Sequence, residues 1–551
     1  MKILKKPIIT LIVVFSLTFL SKSLDLQYDL TEDKRYSLSK NSISKLRKLD
    51  APIRIDVFLD GDLPNKFIGF RNQLDVFLKQ LQKYSDYVIL NYNNPYELGD
   101  TEVVIEEMQR YGMTPEIVLE NTNGNRKESI IFPWIIVNIG DRSELVSLLS
   151  RQLGDTENDK IIRSLQQLEY QIMEGIHKVT LNKKPNLAIL TSHQTSEQIK
   201  LADLLKSLRS FYNLASFDLK KKGVTKQATL KNLNRFDGLI ISNPKTEFTQ
   251  SEKYILDQHL LNGGGQLWLV DGIQVDIDSL FNLSGKTYGF PRELNLEDYF
   301  FHNGIKIQKT IIEDLYCAPI VLANGKNNNT KYIPYPWPYY PLSKPLNTSL
   351  IGKDVGTIIS QFASPLDIVN THLNKTILMR TSEYTKSLGP PVLIEIEQAT
   401  RKINPLVYNQ ASKALGILIE GKNKSLFYNR VKPLSITNPK NEGVIKMIVF
   451  GDGNLAENQT EKGIPLTLGF DKWTNNFYGN KTLVMNAIHH LTGNKERLNL
   501  RSKTWEVAFL DKQKINENVT RWKALILLIP LSLIICIGWI YRLIRSKHLR
   551  Y

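Results

Sequence analysis

The chain has 551 residues, of which 42% are hydrophobic and 23% charged, and its formal net charge is +16. This composition is typical of a folded protein with two or three domains and excludes long intrinsic disorder. The basic residues are spread along the chain, and the densest short run, Lys220–Lys222, contains only three. A basic surface near a membrane is therefore favoured, and nucleic-acid binding is disfavoured.

The N-terminal segment is first basic and then apolar. Lys2, Lys5 and Lys6 precede an uncharged run over residues 7–20, and no Ala-x-Ala-type cleavage site follows it. We interpret residues 1–24 as an uncleaved membrane anchor, although a cleavable signal peptide has the same general pattern.

Residues 25–150 predict a first α/β domain. Hydrophobic periodicity predicts these elements in chain order: strand Ile53–Leu59, helix Phe70–Tyr84, strand Val88–Tyr92, helix Glu102–Tyr111 and two short strands at 129–132 and 134–137. The first three elements predict a β-α-β unit. The last two strands are expected to be a paired hairpin or two adjacent strands.

A long amphipathic helix is predicted over residues 156–181, where apolar side chains recur at helical spacing. We expect residues 151–184 to connect two domains. Glu169, Glu174 and His177 are interpreted as the solvated face of this helix, because their spacing is not that of a metal site.

Residues 185–495 predict a second α/β domain with a β-rich insert. Its expected elements are strand Leu187–Leu190, helix Gln198–Tyr212, strand Gly238–Ser242, helix Ser251–Leu261, strand Gln266–Asp271, mainly β structure over Ile377–Lys432, a buried strand at Lys446–Phe450 and helix Asn480–Leu491. Strands that alternate with helices indicate a parallel sheet of the Rossmann or flavodoxin type, with helices on both faces.

Two aspartates are the best candidates for a ligand site in this domain. Asp271 and Asp452 each stand at the carboxyl end of a predicted strand, where open α/β sheets place ligands. Helix capping or a turn is the simpler explanation for an aspartate in either position.

The stretch Pro334–Pro341 alternates prolines with aromatic residues and predicts an ordered loop or a sheet edge. If exposed, Trp337 and Tyr339 would make a rigid surface that binds a protein or a sugar. Burial between domains is an equally good interpretation.

Several kinds of chemistry are disfavoured. Gly263–Gly265 follows a helix and precedes a strand, which is the reverse of a nucleotide-binding loop, and the sequence contains no common hydrolase or zinc-protease motif. Cys317 has no histidine beside it in sequence, and His489 and His490 point in different directions on a helix. We expect no catalytic residue, metal or cofactor, and hence no enzyme.

The C-terminus predicts a transmembrane helix at residues 522–541. Residues 524–541 carry no charge, Trp522, Trp539 and Tyr541 lie near the ends, and a basic tail occupies residues 542–551. Residues 496–521 are expected to be juxtamembrane. The positive-inside rule places both basic ends in the cytoplasm and the large domain outside, in the periplasm if the cell is a bacterium.

A set of collinear motifs resembles the gliding-motility ABC-transporter auxiliary proteins of the GldG type. The motifs cover nearly the whole chain and are Asp29–Ser39, Leu294–Asp298, Asp314–Ile320, Phe362–Asp367, Glu420–Lys422, Ser425–Arg430 and Tyr478–Lys481. The chain departs from the pattern at residues 451–454, where Gly-Asp-Gly-Asn replaces a Ser-Asp-Gly-Asp-like turn.

The resemblance implies a substrate-binding or auxiliary component that works beside an ABC ATPase and a multispanning permease in the inner membrane. It supplies no catalytic residues. Two alternatives remain open: a membrane-anchored scaffold for motility or secretion machinery, and an extracytoplasmic enzyme.

Overall fold

The computed structural model describes residues 37–122, 125–150, 156–181, 183–281, 284–324, 331–347, 349–353, 355–493 and 519–548. The chain divides into two compact units, residues 1–504 and 505–551. The predicted N-terminal anchor lies outside the described residues.

The first part of the larger unit alternates helices and strands as its hydrophobic pattern predicts. Its elements are α1 (Lys40–Arg47), β1 (Ile53–Val57), α2 (Asn65–Tyr84), β2 (Val88–Tyr92), a 3₁₀ turn (Pro95–Leu98), α3 (Thr101–Arg110), β3 (Glu116–Thr122), β4 (Asn125–Ile131), β5 (Trp134–Ile139), β6 (Arg142–Ser147) and α4 (Glu157–Thr180).

The predicted β-α-β unit is present, since β1 and β2 pair in parallel across α2. The sheet has the order β2-β1-β5-β6. The predicted segments 129–132 and 134–137 correspond to two adjacent strands of the chain, β4 and β5, and the predicted hairpin between them is wrong. β4 pairs with β3 in a separate ribbon, whereas β5 pairs with β1 and β6. Only two residues, Phe132 and Pro133, separate the two strands, and Phe132 is buried.

Helix α4 begins with a capping box in which Thr156 and Asp159 exchange hydrogen bonds. Its apolar face joins the core of the first sheet through Leu168, Ile172 and Ile176. The predicted solvated face is wrong for Glu169 and His177, which are only 4% and 6% exposed. The carboxylate of Glu169 accepts hydrogen bonds from α1, so this face of the helix is covered by protein.

The second part opens with a run of parallel strands. Its first elements are β7 (Asn186–Leu190), α5 (Ala202–Arg209), β8 (Asn213–Phe217), α6 (Lys226–Leu233), β9 (Gly238–Ser242), α7 (Gln250–Leu261), β10 (Gly265–Leu269), β11 (Ile273–Gln274) and α8 (Ile277–Leu280). Sequence analysis missed β8 and α6, and it extended α5 too far at both ends.

The remaining elements are mostly β structure. They are β12 (Lys286–Pro291), α9 (Glu297–His302), β13 (Ile305–Ile307), β14 (Ile311–Asp314), β15 (Cys317–Asn324), β16 (Lys331–Pro345), β17 (Ile358–Ile359), β18 (Leu366–Ile368), β19 (Asn374–Arg380), β20 (Thr385–Leu388), β21 (Val392–Glu395), 3₁₀ turns (Ile396–Thr400 and Pro405–Val407), β22 (Ala414–Lys424), β23 (Glu442–Phe450), β24 (Thr460–Glu461), β25 (Ile464–Pro465), β26 (Phe470–Asp471), β27 (Asn476–Phe477) and α10 (Asn480–Leu491).

One large sheet has the order β15-β16-β19-β22-β23-β10-β9-β7-β8. The five strands from β23 to β8 are parallel, and the strands on the other side of β23 pair antiparallel. Both faces of the parallel part are covered: Leu267 and Leu269 join one apolar cluster, whereas Trp268 joins the other. The mixed α/β class is therefore confirmed.

The proline-aromatic stretch is part of a strand, so the loop alternative is wrong. Residues 331–341 of β16 pair with β15, whereas the pairing of β16 with β17 and β19 involves only residues 342–345. Because proline lacks an N–H group, it suits an edge of this kind.

The smaller unit contains α11 (Val519–His548), and its segment Val519–Trp539 is long and apolar enough to cross a membrane. This segment covers most of the predicted transmembrane helix.

Candidate functional site

The two predicted aspartates lie at the same edge of the large sheet. β10 and β23 pair in parallel with Leu269 opposite Phe450, and Asp271 and Asp452 each follow two residues later. Both side chains are buried, at 6% and 1% exposure. Parallel pairing therefore brings together two carboxyl groups that are 181 positions apart in sequence.

Asp271 is held by a backbone group and a cation. Its Oδ1 accepts a hydrogen bond from the N–H of Gly453 at 2.5 Å, and its Oδ2 lies 3.3 Å from Nη2 of Arg292. Burial raises the pKa of Asp271, and the Arg292 guanidinium opposes that rise. A side chain at position 453 would collide with this arrangement, because a Cβ there would stand 2.7 Å from Oδ2 of Asp271.

The carboxylate of Asp452 is hydrogen-bonded to two separate loops. Its Oδ2 accepts from the N–H of Gln361 at 2.9 Å and its Oδ1 from the N–H of Asn454 at 2.8 Å. Burial, together with the charge of Asp271, raises the pKa of Asp452 well above its usual range. The bond to Asn454 is the turn interaction that sequence analysis offered as the simpler role for this residue.

Sequence analysis missed Arg292 and Asn243. Arg292 follows β12 and donates from Nη1 to Oδ1 of Asn243 at 2.5 Å and to the carbonyl oxygen of Pro244 at 2.9 Å. Asn243 follows β9, so the strand-end rule that selected Asp271 would have found it. Arg292 has no comparable signal in the sequence.

Glu457 completes a network of charged and amide groups. Its Oε1 accepts from Oγ of Ser196 at 2.7 Å, and its Oε2 accepts from Nδ2 of Asn454 at 3.2 Å. Nζ of Lys200 lies 3.6 Å from Oε2. The acids of this edge are therefore paired with cations or amides from several loops.

A polar cleft of about 600 Å³ lies at this edge, and its lining includes Asp271, Arg292, Glu457 and Lys200. Asn243 and Phe362 also line it, and both have left-handed backbone, with φ of 51° and 50°. This conformation is common for asparagine but unusual for phenylalanine, and backbone strain of this kind is enriched at functional sites. Trp473, which is 59% exposed, adds an aromatic ring to the lining. The cleft is suited to a polar ligand or to a side chain of a partner.

Comparison with known families identifies the part of the chain that contains this cleft. Residues 184–487, more than half of the chain, match the auxiliary family described as "ABC-type uncharacterized transport system". The chain belongs to this family. Residues 32–138 match a second family, which is described as a domain of unknown function. The resemblance seen in the sequence is thus confirmed for the transport-system auxiliary family.

Other comparisons add little to this assignment. A solved structure described as "mmIFT52 N-terminal domain" is similar, with 15% identity and a TM-score of 0.32, over 59% of this chain and 100% of that chain. No curated protein matches the chain.

The transport-system family suggests a role without catalysis. Burial raises the pKa of the Cys317 thiol to about 11, so very little reactive thiolate forms near neutral pH. Within the described ranges, no group of three or more His, Cys, Asp or Glu residues is placed to hold a metal ion.

Of the two interpretations of Trp337 and Tyr339, the exposed surface is wrong, because both residues are buried. Both rings are buried, at 0% and 1% exposure, in a cluster with Ile320, Phe362 and Ile394. Tyr339 donates from its hydroxyl to Oε1 of Gln398 at 3.1 Å. The two residues are two positions apart in β16, so their rings lie on the same face of the strand, and their role is in packing.

Proposed function

We propose that this protein is a membrane-anchored auxiliary, substrate-binding-like subunit of an ABC transporter complex in the bacterial inner membrane, associated with gliding motility. The observation that carries the proposal is the family match over residues 184–487. The apolar segment Val519–Trp539 supports attachment to a membrane. The proposed partners are an ABC ATPase and a multispanning permease, as the resemblance to the auxiliary family implies. The ATPase would supply the nucleotide-binding loop that this sequence lacks.

In this proposal both termini are cytoplasmic and the large unit is periplasmic. Support comes from the basic residues at both ends, which include Lys5 and Lys6 at one end and Arg542 and Arg545 at the other.

The orientation is tested by labelling single cysteines in intact cells with a membrane-impermeant maleimide. The background carries Cys317→Ser and Cys536→Ser. A cysteine at exposed Lys221 should react once the outer membrane is permeabilised, and one at Lys547 should react only after lysis. Labelling at position 547 without lysis would contradict the orientation.

The polar cleft is the proposed site at which the subunit engages its ligand or partner. Its position at the carboxyl ends of β9, β10 and β23 supports this role, because Rossmann-like and flavodoxin-like sheets bind ligands there. Asp271 lines the site, and Asp452 accepts hydrogen bonds from two lining residues, Gln361 and Asn454. Lys200, Lys472 and Trp473 supply more accessible groups.

Photo-crosslinking in living cells tests the cleft. A photoreactive phenylalanine analogue replaces Trp473, and a control places it at Tyr111, which is 58% exposed and does not line the cleft. The proposal predicts capture of a transport-system subunit or a small molecule from position 473 but not from position 111. Equal capture from both positions, or none from position 473, would contradict the role of the cleft.

A further inference from the structure

The large sheet has an open edge at β8. This strand pairs on one side with β7, and no strand of the described residues pairs with its other side. The N–H of Asn213 and the carbonyl oxygen of Phe217 make their hydrogen bonds on the β7 side. Because the direction of these bonds alternates along a strand, the N–H and C=O groups of Leu214 and Ser216 point away from β7. These four groups can pair with another strand.

None of the features that usually protect a sheet edge occurs in β8. Its sequence, Asn213–Phe217, contains no proline and no charge, and all five residues pair with β7 in unbroken register. At the opposite edge of the same sheet, β15 carries Pro319 and a register shift between Cys317 and Pro319. Prolines, charges and bulges prevent an edge from pairing with another chain. β15 is therefore protected, whereas β8 is open to strand addition.

A small groove lies beside the open edge, between α5 and β8. Its volume is about 200 Å³, and its lining includes Leu201 and Leu205 from the α5 side and Leu214 from β8. This volume is below the range of small-molecule pockets, about 300–1,000 Å³, and suits a single apolar side chain. Side chains alternate between the two faces of a strand, so a strand paired with β8 would place every second side chain on the face where the groove lies.

The open edge lies in a strongly basic part of the chain. Residues 183–235, which include β7, α5, β8 and α6, contain eleven lysines and arginines against three acids, so they account for +8 of the formal net charge of +16. The exposed cations Lys206, Arg209, Lys220 and Lys221 make no ion pair with another described residue. Charge complementarity therefore favours a partner with negative charges.

We propose that the β8 edge binds an extended, acidic segment of a partner protein by strand addition. The backbone of this segment pairs with Leu214 and Ser216, one of its apolar side chains enters the groove, and its acidic side chains lie beside Arg209 and Lys220. An anionic membrane surface would match these charges but not the unpaired backbone groups, and a second copy of the chain would bring like charges together. The edge is separate from the polar cleft, so its failure would leave the role of the cleft intact.

Three peptides test the proposal on the full chain in phosphatidylcholine nanodiscs. The acidic strand peptide, Asp-Glu-Thr-Val-Thr-Val-Thr-Asp-Glu, has charged ends and a centre that favours a strand. A proline peptide replaces the central Val-Thr-Val with three prolines, which keeps the charge but removes backbone donors. A basic peptide replaces the four acids with lysine. Fluorescence anisotropy of the labelled peptides measures the three dissociation constants.

The proposal predicts saturable binding of the acidic strand peptide and about tenfold weaker binding, or less, of the other two. The proline peptide loses the backbone pairing, and the basic peptide loses the charge attraction. Equal binding of the proline peptide would show that the edge attracts negative charge alone, as it would a lipid surface, and would overturn strand addition. Absence of saturable binding by the acidic strand peptide would also overturn it.

Two variants assign the binding to β8. Ser216→Pro removes an outward N–H but leaves the β7 side of the strand unchanged, so binding of the acidic strand peptide should weaken about tenfold. Arg209→Glu with Lys220→Glu should weaken it by a similar factor, because attraction becomes repulsion. The matched control, Lys331→Glu with Lys344→Glu, makes the same change of charge at exposed positions of β16 and should bind as wild type does. Wild-type affinity in both β8 variants would contradict the proposal.

Sedimentation of the full chain in detergent tests a second copy as the occupant. The proposal predicts the same size for wild type and Ser216→Pro. A dimer that this substitution dissociates would assign the β8 edge to self-association and would overturn the binding of a different protein there.

Discussion

Arg292 neutralises Asp271 at the carboxyl end of β10, with Nη2 of the guanidinium 3.3 Å from Oδ2 of the carboxylate. Both side chains are buried, and Arg292 also reaches the loop that follows β9. The pair therefore joins the ends of two neighbouring strands to the chain that follows β12. We therefore expect the Arg292–Asp271 pair to stabilise the polar cleft.

Arg292→Met should destabilise the protein by about 3 kcal/mol, because it leaves the carboxyl group of Asp271 buried without its cation. The free energy of unfolding is measured by urea titration of the full chain in detergent. The double variant Arg292→Met, Asp271→Asn should recover part of the loss. If the double variant loses as much free energy of unfolding as the two single variants lose together, the residues are not coupled and the prediction is contradicted.

Gly453→Ala should destabilise by about 1–3 kcal/mol, because a Cβ there would stand 2.7 Å from Oδ2 of Asp271 and 2.8 Å from Oδ1 of Asn243. Gly69→Ala is the control, since position 69 lies within α2 and has no atom within 4 Å of an added Cβ. That variant should stabilise by about 0.5–1 kcal/mol. Thermal unfolding measures both, and equal effects would contradict close packing at position 453.

Stability should fall as pH decreases from about 6.5 to 4, because burial lowers the pKa of His259 to about 4. Across this range the unfolded chain takes up a proton that the folded chain does not. This difference in proton uptake lowers the free energy of unfolding by at most about 3 kcal/mol over the range. His259→Gln should make the pH dependence of the urea midpoint shallower in this window. An unchanged slope would show that His259 is not the group responsible.

Glu169→Ala should release α1 from the first sheet. Oε1 of Glu169 accepts from the N–H of Ser39 at 2.7 Å and from Oγ of Ser42 at 2.6 Å, and the hydroxyl of Ser42 is buried. Without this carboxylate, the N–H of Ser39 and the hydroxyl of Ser42 lose their acceptor. Each loss should lower the free energy of unfolding by about 1–3 kcal/mol. Hydrogen–deuterium exchange over Lys40–Arg47 should become faster. Glu169→Gln keeps an acceptor oxygen and should exchange nearly as slowly as wild type.

Elements with a strong local signal were predictable from the sequence. The buried strands β7, β9 and β10 are short apolar runs, and the helices α2 and α7 show apolar side chains at helical spacing. The strand-end rule also located Asp271 and Asp452, because it depends only on the order of elements along the chain.

Features that depend on distant partners were not predictable. Glu169 looked solvated because its partner Ser39 lies 130 positions away. Arg292 follows a short strand and has no motif around it, although it proved central to the cleft. β4 pairs with β3, and β5 pairs with β1. Hydrophobic periodicity shows that a segment is a strand but not which strand it pairs with, so it could not assign these partners.

Co-purification from native membranes tests the central claim most directly. The full chain is isolated in mild detergent, and the proteins that accompany it are identified and quantified against a membrane protein of similar abundance. The account predicts an ABC ATPase and a multispanning permease in fixed proportion to the chain. Recovery of neither, under conditions in which another ABC complex stays intact, would contradict its role as an auxiliary subunit.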